Sequence, residues 1–131
     1  MKKTVLLNQP ISAVIAGLGH MDTLVIADAG LPIPPETPRI DLAISRGIPT
    51  FFDTLSAVLS EMQVQQAVVA EEMLQASPQV AAALRQALGD VPIEQVPHAQ
   101  FKQATRSARA VIRTGECTPY ANVILVAGVV F

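Results

Sequence analysis

A chain of 131 residues that is 50% hydrophobic and 15% charged, with a formal net charge of −2, has limited options. It is long enough for one domain, residues 1–131, burying about two-thirds of its unfolded surface, and it lacks the basic footprint of a nucleic-acid binder. Its one cysteine, Cys117, permits neither an intrachain disulfide nor a cysteine-based zinc cluster.

A mean hydropathy of +0.40 is high for an isolated small domain. Part of the apolar surface is therefore expected to face other subunits. Lys2-Lys3 resembles the start of a signal peptide, but Asn8, Gln9 and Pro10 interrupt the apolar run behind it. Val123 to Phe131 is the longest apolar run and is too short to span a bilayer. No membrane insertion is expected, and a cytoplasmic location is.

In chain order, Ile11, Val14, Ile15 and Leu18 fall on one face of a short helix, with Asn8 as cap and Gly17 and Gly19 beyond its end. His20 follows in a tight turn. Thr23 to Ala27 reads as a strand buried on both faces, and Asp28 stands where it ends. The segment Ala29-Gly30-Leu31-Pro32-Ile33-Pro34-Pro35 continues neither helix nor central strand. Arg39 to Ile44 alternates as a half-exposed strand. Phe51, Leu55, Val58 and Met62 then repeat at helical spacing behind Thr50, a cap. Their plain reading is core.

Ala67 to Ala70 is a further buried strand ending in Glu71-Glu72. Ser77-Pro78 opens a helix, with Ser77 as cap, that closes at Gly89. Val91 to Val96 reads as a weak strand, Pro97 to Lys102 as a short helix. Ala110 to Arg113 and Asn122 to Ala127 are the last buried strands. The alternation predicts an α/β fold, a three-layer α/β/α domain around a central sheet that is mostly parallel or mixed. Ligands of such sheets collect beyond the carboxyl ends of the strands, here Asp28, Glu71/Glu72 and Arg113 to Glu116.

No phosphate loop, dinucleotide fingerprint or nucleophile elbow is present. His20 and His98, the two histidines, are far apart, so no local metal-ligand spacing exists. What remains is cofactor-free acid/base work on a small polar ligand. On residue type alone a plainer reading is the commoner one, with Asp28 capping a turn, His20 solvated at a helix end and His98 solvated in a first helical turn.

Three segments sharpen this. Gly19-His20-Met21-Asp22, Asp28-Ala29-Gly30-Leu31-Pro32 and Arg113-Thr114-Gly115-Glu116-Cys117-Thr118-Pro119-Tyr120-Ala121-Asn122 resemble the ribose-pyranase/L-fucose-mutarotase family across the whole chain. The Gly-Leu-Pro after Asp28 and the Thr-Pro before Tyr120 are similar to its ribose branch. The resemblance implies interconversion of pyranose and furanose forms of β-D-ribose, no cofactor and no metal. It also implies a homodecamer of two pentameric rings with sites near subunit boundaries. It gives His20 as proton donor and Asp28, His98, Tyr120, Ala121 and Asn122 as the sugar-binding residues. Lys102, one helical turn from His98, is a further candidate contact. The alternatives are a fucose-type mutarotase and a non-catalytic sugar-binding module.

Overall fold

Runs of β-branched and aliphatic residues alternate along the chain with amphipathic stretches, and each becomes the element its period suits. In the computed structural model, which describes all residues 1–131, the order is α1 (Gln9–Ala16), β1 (Thr23–Ala27), β2 (Arg39–Asp41), α2 (Phe51–Leu59), β3 (Val64–Ala70), α3 (Glu72–Ala76), α4 (Pro78–Leu88), β4 (Ile93–Val96), α5 (His98–Ala104), β5 (Ala110–Arg113) and β6 (Val123–Ala127). A single 3-10 turn over Thr105–Ser107 follows α5.

The expected caps form at α1 and α2. Asn8 accepts from the Ile11 amide, and Thr50 with Asp53 makes a reciprocal capping box. Ser77 does not cap α4. Its side chain makes no cap bond there, and its hydroxyl donates to the Pro119 carbonyl at 2.7 Å instead. The helix α3 was not expected. It is five residues long and has no side-chain cap, so its pattern is too short to show a period.

The six strands make one sheet in the order β2-β5-β1-β6-β3-β4. Neighbours pair in parallel except around β6, which runs antiparallel to both β1 and β3. The sheet is therefore mixed, with one reversed strand at its centre. Alternate residues feed two apolar layers. Leu24, Ile26, Ala110, Ile112, Val123 and Leu125 meet Ile11, Phe51, Leu55 and Leu84 of α1, α2 and α4 on one face. Val25, Ala27, Val111 and Ile124 meet Leu31 and Phe101 on the other. The second layer is thinner, closed by α5 and the proline-rich loop instead of three helices. The expected three-layer order holds, with unequal layers.

This topology fixes where polar residues gather. The exits of β1, β3, β4 and β5 all lie at one end of the sheet. Because β6 is reversed, its entrance joins them, bringing the loop Thr114–Asn122 and the exit of β1 together.

Candidate active site

At the exit of β1, Asp28 and Asn122 hold each other. The Asn122 Nδ2 donates to Asp28 Oδ2 at 2.9 Å, and the Asp28 amide donates to Asn122 Oδ1 at 2.8 Å. The Gly30 amide donates to the other carboxylate oxygen of Asp28 at 2.9 Å. Asn122 is 1% exposed, and a buried amide is costly unless bonded. Asp28 and Asn122, 94 positions apart, thus form one fixed polar unit at the floor of the site.

The β5–β6 loop is organised by Glu116. Its carboxylate accepts from the amides of Phe51, Cys117 and Thr118 and from the Thr118 hydroxyl, at 2.8 to 3.2 Å. Burial works to raise this carboxyl, but the four donations outweigh it and hold Glu116 below its ordinary range. Gly115 is pressed against the preceding loop so closely that a Cβ would lie 2.4 Å from the Ile48 carbonyl oxygen. No side chain fits there. The loop then turns through Tyr120, at φ 61°, a left-handed conformation that costs a bulky residue about 1 kcal/mol or more. Strain held by this many partners places the Tyr120 ring edge-on to His98, with ring centroids 5.0 Å apart.

His98 opens α5. Pro97 offers no side-chain cap; Glu72 supplies one from α3, both of its carboxylate oxygens accepting from the His98 amide at 2.9 and 3.1 Å. The amide of Glu72 itself lowers this carboxyl most; burial works against it, and the His98 amide adds to the lowering. The imidazole Nδ1 of His98 is buried without a hydrogen-bond partner. A buried ring nitrogen beside the Tyr120 ring, at the sheet end that also carries the Asp28–Asn122 pair, suits a small molecule rich in hydroxyls.

Of the residues expected from the sequence, Asp28, His98, Tyr120, Ala121 and Asn122 therefore meet at one end of the sheet. Lys102, one turn on from His98 in α5, lines a hollow of about 550 Å³ with Pro32, Pro34, Glu36 and Arg106. His20 is at the opposite end. It precedes β1, whose five residues span about 16 Å, so a direct His20–Asp28 bond within one chain, one of the options open from sequence, is not made. Nor is His20 directly at a helix end, since α1 stops at Ala16. Its turn is closed by the Asp22 amide on the Gly19 carbonyl and the Gly19 amide on Asp22 Oδ2, at 3.0 and 2.7 Å. That amide bond, and then Arg109, lower the Asp22 carboxyl. The exposed His20 ring faces a hollow of about 430 Å³ shared with Leu18, Met62, Val129 and Phe131.

Residues 1–130 match the model of the RbsD / FucU transport protein family. This chain belongs to that family. The D-ribose pyranases of Chloroflexus aggregans and Laribacter hongkongensis are 60% and 59% identical to it, each over the full length of both chains. The structure of Bacillus subtilis RbsD complexed with D-ribose matches it with a TM-score of 0.97 and 45% identity, covering both chains completely. A fucose mutarotase of Streptococcus pneumoniae in complex with L-fucose shares the fold at a TM-score of 0.85 and 22% identity. The six-stranded mixed sheet is thus the RbsD / FucU fold.

The parts played by Glu72, Ser77 and Glu116 were not foreseen from the sequence. Glu72 and Glu116 were visible as polar strand ends. That one caps a helix from another element and the other ties a loop to α2 depends on tertiary neighbours.

Proposed function

We propose that this protein is a D-ribose pyranase, interconverting the pyranose and furanose forms of D-ribose. The observation that carries it is the Asp28–Asn122 pair at the same end of the sheet as the unpartnered His98 Nδ1, in a chain whose full-length relatives are D-ribose pyranases. The sugar sits against this end of the sheet. Asp28, Asn122 and the Ala121 backbone accept and donate to its hydroxyls, His98 Nδ1 bonds one more, and Tyr120 closes the site edge-on.

His20 is the acid. As an imidazolium it gives a proton to the pyranose ring oxygen while the anomeric hydroxyl gives one to water, and the bond from the anomeric carbon to the ring oxygen breaks. The open aldehyde rotates, its C4 hydroxyl adds to the carbonyl, and the furanose closes. No electrons or phosphoryl groups move. Water does the same slowly, so one positioned acid with hydrogen-bond partners supplies the needed rate.

His20 and the sugar-binding cluster lie at opposite ends of one chain's sheet, so the acid reaches the sugar across a subunit boundary. Exposed Met21, Ile44, Ile48, Val130 and Phe131 supply apolar surface for that contact. The assembly is a homodecamer of two pentameric rings and the location cytoplasmic; no helix is long and apolar enough to cross a membrane. Exchange NMR on ribose tests the reaction. At substoichiometric protein the signals of the interconverting forms broaden, and a protein that only binds the sugar leaves them sharp.

A further inference from the structure

Gln65 stands where β3 is irregular. Val64 pairs with Ala127 and Gln66 with Val126, so Gln65 is the extra residue of a bulge between successive β6 partners. A bulge re-aims one side chain out of strand alternation. The packing records the reset, because Val64 and Ala67, three positions apart, enter the same apolar layer. Across from the bulge is Gly128, where a Cβ would lie 3.2 Å from the Gln65 Cβ. The space Gln65 uses is space that a side chain at 128 would crowd.

The amide so placed is held at both ends. Its Nε2 donates to Met21 Sδ at 2.8 Å, and its Oε1 is 2.9 Å from His20 Nε2. Met21 has φ 71°, a rare conformation for a side chain of its length, and its amide is tied to the Ala127 carbonyl at 3.0 Å. A thioether has no proton to give, so the glutamine must show it the NH2 group, which turns the oxygen toward His20. An amide oxygen only accepts. The ring nitrogen facing it therefore keeps its proton whether the imidazole is neutral or charged.

We propose that Gln65 is a positioning residue that holds His20 with its proton on Nε2 and so makes Nδ1 the nitrogen that serves the sugar. This rests on the reading of His20 as the acid. The proton on Nδ1 passes to the ring oxygen as the bond from the anomeric carbon to that oxygen breaks. The N–H electron pair stays on Nδ1; on reclosure the C4 hydroxyl returns a proton there while water returns one to the carbonyl oxygen, which becomes the new anomeric hydroxyl. Other charges near the ring are engaged. Asp22 is paired with Arg109 at 3.0 Å, and Glu61, which lines the same hollow, is bonded to Lys2 and Thr4.

The test begins with nitrogen-15 NMR of histidine-labelled, assembled protein without sugar, above the pH where the ring is neutral. The expected spectrum has His20 protonated on Nε2 alone, and Gln65→Leu relaxes it to a mixture with Nδ1–H. Protonation on Nδ1 in the unaltered protein, or an unchanged spectrum in Gln65→Leu, overturns the clamp. The second arm is activity. Gln65→Leu lowers the saturated exchange rate about 10- to 100-fold with ribose affinity kept. Gln65→Glu retains the acceptor, adds a charge, and moves the alkaline falling limb of the rate up by about one pH unit or more. A limb that does not move overturns the coupling to catalysis. If the unaltered protein exchanges no ribose, the functional reading fails while the spectrum still decides the clamp.

Discussion

The two ends of the sheet are built differently. At the Asn122 end, polar groups are buried or half-buried, two of them bonded as a reciprocal pair, and the adjoining loop has a carboxylate anchor that accepts four hydrogen bonds. At the His20 end, the ring is exposed, sits in a four-residue turn and meets one glutamine. Binding a neutral sugar needs several donors and acceptors fixed in advance, since each unmet buried group weakens the complex. Delivering a proton needs a single group, correctly aimed and in the right protonation state. One end has the construction of a binding surface, the other that of a presented acid.

The sharpest way to break this contrast is to remove one end at a time. His20→Ala is expected to lose about 10²- to 10⁴-fold of ribose exchange, the usual worth of a positioned acid, with ribose affinity retained by calorimetry. Mixing it with Asn122→Ala tests the boundary directly. At ribose concentrations too low for the Asn122→Ala site to fill, each variant supplies the end the other lacks, so a one-to-one mixed assembly should regain about a quarter of full activity by random pairing. No recovery in mixed assemblies would place both ends of a working site in one chain.

Asn122→Ala alone should cost about 1–3 kcal/mol of ribose binding and comparable stability, because the half-buried Asp28 loses the partner of its carboxylate and of its amide. Unchanged affinity would remove the pair from the site. Glu116→Gln is expected to cost about 1.5–3 kcal/mol of unfolding free energy by denaturant titration. Its pH dependence has a definite sign. Glu116 is held below its ordinary value of 4.5 in the folded protein, so its contribution is complete above that value and disappears as pH falls through the lower folded one. Stability of the unaltered protein should decline on acidification, and the Gln variant should show a shallower decline in that window. The smallest effect is expected from Tyr120→Phe, about 0.5–1.5 kcal/mol of ribose affinity if only one hydroxyl contact is lost.

Most of the strands could be read from composition and period, because a buried run such as Thr23–Ala27 or Val123–Ala127 has few other fates. The direction of β6 could not. A strand buried on both faces looks alike running either way, and the short β5–β6 connection was the available cue, since a parallel return needs a crossover of a dozen or more residues. The site was legible by residue and not by place. Asp28, His98, Tyr120 and Asn122 were named and do converge, whereas the separation of His20 follows from which side of β1 it occupies. Gln65 left a faint trace. Gln65-Gln66 separates Val64 from the apolar run Ala67-Val68-Val69, a pattern consistent with a bulge but also with a loop edge. Ser77 misled because serine before proline is so often a cap that its long-range bond to Pro119 was invisible.

The reversed strand β6 has a consequence for synthesis. It is the last strand in the chain, yet it lies between β1 and β3 at the middle of the sheet. Until residues 123–127 have left the ribosome, the β2-β5-β1 and β3-β4 parts each carry an open edge with unpaired amides and carbonyls, the kind of edge that recruits other strands. Low contact order cannot help here, because the missing partner is remote from β1 in sequence. A chain stopped short of Val123 should therefore be recovered as aggregate or bound to chaperones, and release of the final segment should be the event that makes the nascent protein soluble.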